Sequence, residues 1–130
     1  MSVDRNLRQL EELGALQVWA GVRARRIIGR RCMFAVVELD PNTAVPEHRH
    51  PHEQLGIVLR GSGRFRIGEE VRDVAPGSTW NIAPDVPHEF TVGPDGAVVI
   101  DVFAPNREDW EVLPAADERE PRWPEQARVP

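Results

Sequence analysis

From residue 17 to residue 103 the chain is a succession of short segments rich in Val, Ile, Phe and Trp, cut at close intervals by turn-forming residues. The segments run over 17–28, 32–39, 45–50, 54–60, 63–67, 70–74, 78–83, 88–92 and 97–103. Asp40-Pro41-Asn42, Gly61-Ser62-Gly63, Gly68, Ala75-Pro76-Gly77, Pro84-Asp85 and Gly93-Pro94-Asp95-Gly96 punctuate them. Many short strands with regular turn signals predict an all-β sandwich or barrel.

The two ends differ from this pattern. In residues 4–14, Leu7, Leu10 and Leu13 fall three apart and Gly14 can end a turn, which predicts a short helix that must pack on something to persist. Residues 104–130 hold several prolines, many charges and the lone aromatics Trp110 and Trp123. They read as an irregular tail whose first part lies on the barrel and whose end is disordered. The expected organisation is an arm at 1–16, a barrel at 17–103 and a tail at 104–130.

Composition narrows the chemistry. A chain of 130 residues fits one domain. The net charge is −5 and no basic block occurs, so no nucleic-acid partner is expected. Apolar runs such as 97–100 are too short to cross a bilayer, and Met1-Ser2-Val3-Asp4-Arg5 opens with charges and has no apolar signal core. A cytoplasmic protein with no membrane partner is expected. Cys32 is the only cysteine, which excludes an internal disulfide and a multi-cysteine zinc site; it reads as a small buried side chain in a strand. Lys and Tyr are both absent, which removes Schiff-base chemistry, a Walker-type phosphate loop and a tyrosine acid. The run Arg23, Arg25, Arg26, Arg30 and Arg31 reads as a solvated edge rather than an anion patch, and Arg64 and Arg66 as a solvated strand face. Trp19 and Trp80 read as core.

All four histidines lie in two short stretches, Glu47-His48-Arg49-His50-Pro51-His52-Glu53-Gln54 and Ala83-Pro84-Asp85-Val86-Pro87-His88. If 48–50 are extended, His48 and His50 point to one face, because side chains alternate along a strand. Two imidazoles on one face are half of a chelate. Any one of these residues read alone would be an ordinary surface histidine; the pair and the confinement of the rest favour a metal. Gln54 has matching parity, but a turn near Pro51 can reset the phase.

Residues 42–61 resemble the first motif of the cupin family, in which a His-x-His pair is followed by a carboxylate and then by a Gly. His48 and His50 match, Gln54 stands in place of the Glu, Gly61 closes the motif, and the leading Gly falls on Asn42, which tolerates a left-handed turn. Residues 77–88 resemble the second motif, with Gly77 first and His88 as the last ligand. The family's Pro falls there on Ala83, its Gly on Asp85 and its trailing Asn on Val92. The resemblance implies a double-stranded β-helix, or jelly-roll barrel, holding one divalent metal ion per chain (Zn, Ni, Mn or Fe) on His48, His50, Gln54 and His88. With Gln54 in place of Glu the ligands are uncharged, so the ion polarises a bound oxygen more strongly. A two-histidine, one-carboxylate iron site cannot be made from them. His52 reads as a residue at the rim or behind the ligands, with a fifth ligand as the alternative, and Glu53 as a carboxylate at the surface or behind the ligands.

Residues 97–103 read as a buried strand interrupted by Asp101, whose carboxylate is costly there unless paired or useful. An ion pair with Arg107 is one account and a catalytic role is another. The phrase Asp101-Val102-Phe103-Ala104-Pro105-Asn106-Arg107-Glu108-Asp109, with Pro51-His52-Glu53-Gln54 and Val86-Pro87-His88, resembles the small cupins of the pectin-degradation type, which open the rings of unsaturated uronates. By that resemblance Asp101 moves protons, Phe103 lines the sugar site and Arg107 binds the substrate carboxylate, for which its fork is suited. The expected function is isomerisation or ring opening of a small carboxylated sugar. An iron-dependent dioxygenase and a non-catalytic binding or sensor cupin are the alternatives; oxygen consumption would separate the dioxygenase. A homodimer is expected, because the arm and the open edge of the first strand need covering.

Overall fold

The computed structural model describes residues 6–125. Eight antiparallel strands are formed: β1 (Ala15–Trp19), β2 (Val22–Ile28), β3 (Met33–Leu39), β4 (Ala44–His48), β5 (Glu53–Ile67), β6 (Glu70–Val74), β7 (Thr79–Ile82) and β8 (His88–Ala104). The expected all-β jelly roll is the fold observed. The expected segment 17–28 splits at Ala20-Gly21, because Trp19 pairs with Val22 across a two-residue turn in which Gly21 has φ +77°.

The barrel is closed by two long strands. The pairs 54–60 with 63–67, and 88–92 with 97–103, are not separate strands; each pair merges into one bent strand, β5 and β8. The first half of β5, from Glu53 to Gly61, pairs with residues 97–104 of β8, and its second half, from Gly63 to Ile67, pairs with residues 88–92. The register slips between Val58 and Arg60 and between Gly61 and Gly63, which lets both strands bend from one sheet into the other. β1, β2, β3 and β7 complete one sheet; β4 and β6 complete the other. Inward-facing Ala24, Ala35, Val37, Val58, Ile82 and Val99 fill the space between them.

The expected N-terminal helix is a single 3-10 turn, Leu10–Glu12, and positions 4 and 5 lie outside the described residues. Only Leu13 of the leucine series is buried, while Leu7 is fully open to solvent, so nothing supports further turns. The tail follows the barrel surface: a 3-10 segment, Glu108–Val112, buries Trp110, and Ala115 bridges to Leu16. Its expected disordered end, residues 126–130, lies outside the described residues.

Two outward-facing features differ from expectation. Arg23 and Arg25 are buried, not solvated. Arg25 Nη1 donates to Glu38 Oε2 at 2.9 Å and its Nη2 donates to the Arg119 carbonyl at 2.6 Å, while the Arg122 N–H donates to Glu38 Oε2 at 3.0 Å. The tail therefore closes over charges that the local pattern would leave in water. Cys32 is exposed, because it precedes β3 in the turn after β2 instead of standing inside a strand.

Candidate metal centre

His48 ends β4 and His88 opens β8, and the two residues are paired directly across the ladder. Their rings lie 4.2 Å apart between centroids, and that of His50 lies 5.0 Å from that of His88. One nitrogen of each of the three histidines lies within 4.8 Å of the others. Asn42 (φ 60°) and Asp85 (φ 65°) stand in the left-handed region at the turns before β4 and before β8. Those are the motif positions that sequence comparison assigned to Gly, so the same bends form with residues that tolerate this conformation.

Each ring is oriented by its Nδ1. The Pro46 carbonyl lies 2.8 Å from His48 Nδ1, the Val86 carbonyl 2.9 Å from His88 Nδ1 and the His52 carbonyl 3.0 Å from His50 Nδ1. A carbonyl only accepts, so each Nδ1 carries the proton and each Nε2 presents a lone pair. Burial is the largest cause holding all three pKa values below the usual range, that of His88 down to about 4, so the rings are neutral and competent as ligands.

Gln54 is fixed in the same sense. Its Nε2 donates to Asp101 Oδ1 at 3.0 Å, which turns Oε1 toward His50 Nε2, also 3.0 Å away. Two acceptors thus face one another, and His88 Nε2 is buried with no hydrogen-bond partner. A cation among these atoms would satisfy the opposed lone pairs and the orphaned nitrogen together. The residues present therefore fit a divalent metal.

Asp101 does not pair with Arg107, contrary to one expectation. Its Oδ1 accepts from Gln54 and, at 2.9 Å, from Trp80 Nε1. Burial is the main cause of a pKa raised to about 6, opposed by those two hydrogen bonds and by the positive charge of Arg107. Gly56 makes this possible: it pairs with Trp80 on one side and Asp101 on the other, and a Cβ there would come within 2.1 Å of the indole Nε1. Arg107 instead donates from Nε and Nη2 to Asp109, at 3.0 and 2.8 Å. Its guanidinium lies 4.9 Å from the Phe103 ring and 5.2 Å from that of Trp110. Phe103 is buried with its ring 5.8 Å from that of His50.

His52 stands behind the ligands: its carbonyl orients His50 and its Nε2 lies 3.0 Å from Glu108 Oε2. Glu53 is exposed. Sequence reasoning missed Trp80, Gly56, Asp109 and Trp110 as parts of this site. Alternation from Gln54 through Gly56 to Val58 was the available signal for Gly56; the others depend on contacts between distant segments.

A jelly-roll barrel with histidines converging from the ends of β4 and β8 defines the cupins. The cupin domain matches residues 35–103, more than half of the sequence, and this chain belongs to that family. No curated protein sequence matches it significantly. Among solved structures, an RmlC-like cupin from Shewanella frigidimarina is similar at 21% identity and TM-score 0.75, over 82% of this chain and 96% of that one. KdgF from a Halomonas species matches at 23% identity and TM-score 0.74, over 82% and 98% of the two chains. The polyketide cyclase RemF from Streptomyces resistomycificus matches at 25% identity and TM-score 0.68, over 78% and 80%. The first two likenesses are likenesses of fold. Among the described residues no helix is long and apolar enough to cross a membrane.

Proposed function

We propose that this protein is a metal-dependent enzyme that moves a proton on a small carboxylated substrate, in an isomerisation or a ring opening. One observation carries the reading: a single cavity of about 300 Å³ is walled by His48, His88, Gln54, Asp101, Phe103 and Arg107 together. His48, His50, Gln54 and His88 would hold a divalent ion, which would supply Lewis-acid polarisation of a substrate oxygen.

The remaining roles fall to the chain's own groups. Asp109 occupies the Nε–Nη2 edge of Arg107, and the edge carrying Nη1 is the one proposed to receive a substrate carboxylate. Phe103 and Trp110 steady the guanidinium plane against their rings. Asp101 is held by two donors on Oδ1, which leaves Oδ2 to exchange a proton with the substrate.

Unsaturated uronates, the class implied by the sequence resemblance, are the first substrates to assay, by loss of the conjugated double-bond absorbance in metal-loaded protein. Asp101→Asn is expected to lower kcat by about 10²-fold or more with KM little changed, because an amide does not exchange a proton at neutral pH. Arg107→Ala is expected to raise KM and leave metal content unchanged. No rate above the spontaneous one on any uronate removes the uronate class. An Asp101→Asn variant as active as the wild type removes the proton-transfer role.

A further inference from the structure

The cavity that reaches the histidines has two unlike ends. Its polar groups gather beside the metal ligands. The rest of the wall is made by Val22, Val37, Leu39, Val99, Phe65 and Phe90, with the Phe65 ring 6.5 Å from that of His88. These are built in by register: Val37 is paired with Val99, Val22 with Leu39, and Phe65 with Phe90, each pair facing the barrel interior. The acidic groups bordering the cavity are engaged except for Asp101 Oδ2, which lies at the polar end. Glu89 pairs with Arg66, Asp109 with Arg107, and Asp101 Oδ1 with Gln54 and Trp80.

That division selects among carboxylated substrates. A sugar acid carries hydroxyls around its whole ring. Those turned toward valine and phenylalanine would lose water without gaining a partner. An apolar body gains instead from the same surface, in proportion to the area removed from water. Size agrees: a cavity of about 150 Å³ accepts benzene, and this one is about 300 Å³. We propose that the substrate is an amphipathic carboxylic acid, with its carboxylate at Arg107 beside the histidines and a flat apolar body of one or two rings against the valine and phenylalanine wall. This rests on the carboxylate reading of Arg107 made above and names the body that reading leaves open.

The experiment is isothermal titration of the metal-loaded protein with benzoate, 2-naphthoate and galacturonate, repeated on Arg107→Ala and on Val37→Phe, which fills the wall. The expected order is 2-naphthoate tighter than benzoate by about tenfold or more, and galacturonate weakest. Arg107→Ala should weaken the aromatic acids about tenfold, and Val37→Phe should remove the advantage of naphthoate over benzoate. If Val37→Phe does not fold, as judged by its thermal melt, the ligand order in the wild type decides by itself. Galacturonate binding as tightly as 2-naphthoate, with the dependence on Arg107 intact, overturns the apolar body and leaves the carboxylate reading standing. Unchanged affinity of every acid in Arg107→Ala overturns the carboxylate reading, and this proposal with it.

Discussion

At His50 and Gln54, two acceptor atoms are held face to face by partners on their far sides, the His52 carbonyl and the Asp101 carboxylate. This is a stronger mark of a cation than histidine clustering, because neither group can turn away without losing a buried hydrogen bond. Replacing His88, whose Nε2 has no other partner, should lower metal content sharply; elemental analysis of His88→Ala against wild type checks this. Gln54→Glu is expected to keep the metal and slow turnover, since the added negative charge weakens polarisation of the substrate oxygen. Metal content equal to wild type with turnover unchanged or faster would contradict that account. The same substitution sets two carboxylates against each other at Asp101, so loss of the metal in Gln54→Glu would point to the Asp101 contact as the determinant.

At the scale of elements, the site depends on β5 and β8 being continuous through their bends. Gly61, with φ +81°, is where β5 turns from one sheet to the other, and a Cβ there would lie 1.9 Å from the Gly96 carbonyl. The atoms it would meet belong to the backbone of Gly96 and Ala97, and a Cβ is itself fixed by its own backbone, so no rotamer relieves the clash. Gly61→Ala should cost roughly 1–3 kcal/mol from the conformation and more from the contact, read as a lower urea midpoint. Gly56→Ala acts differently. Its Cβ would meet Trp80 and Asp101 Oδ1, which are side chains, so the indole can shift. Its expected effect is a loss of turnover larger than its loss of stability, with kcat and the urea midpoint measured on the same preparation.

Across the whole molecule, the tail contributes what the barrel lacks. Glu38 is 1% exposed and answers Arg25 and the Arg122 N–H, while Arg23 lies beside it. Removing one partner of a buried pair leaves the other charge uncompensated, so Glu38→Ala should destabilise by about 3–5 kcal/mol in urea unfolding. The open β1 edge that suggested a dimer is occupied within the chain, since Gln17 N–H donates to the Pro114 carbonyl and Ala116 N–H to that of Ala15. A homodimer is now proposed on other ground. Ile27, Phe34, Val102 and Leu55 are successive neighbours across β2, β3, β8 and β5, and form an uncharged outward row in which Ile27 is 53% exposed. A two-fold contact of this row with its copy buries it. Light scattering at micromolar concentration should give the dimer mass, and Phe34→Glu the monomer mass; a wild-type monomer ends the proposal.

The barrel and its histidines were legible in the sequence because both depend on short-range order. The motif spacing brings His48, His50 and His88 together and turn residues mark the strand ends, although β4 stops at His48, so strand alternation, expected over 45–50, does not reach His50. Asn42 and Asp85 hold the left-handed bends that the motif requires, so the sequence departs there without changing the turn. The merging of four expected strands into β5 and β8 was not legible, because Gly61-Ser62-Gly63 and Gly93-Pro94-Asp95-Gly96 are equally good as chain reversals or as bends. Only pairing with a neighbouring strand decides between them. The choice between the two accounts of Asp101 and Arg107 was not legible for a related reason. Arg107 is six positions from Asp101 in sequence, but Asp109 and Trp80 reach the two groups first in space. Burial of Arg23 and Arg25 likewise follows from residues nearly a hundred positions away, through a tail whose own sequence carries no periodicity to announce where it lies. Local pattern thus determined which residues converge on the candidate site, and long-range packing decided which neighbours hold them there.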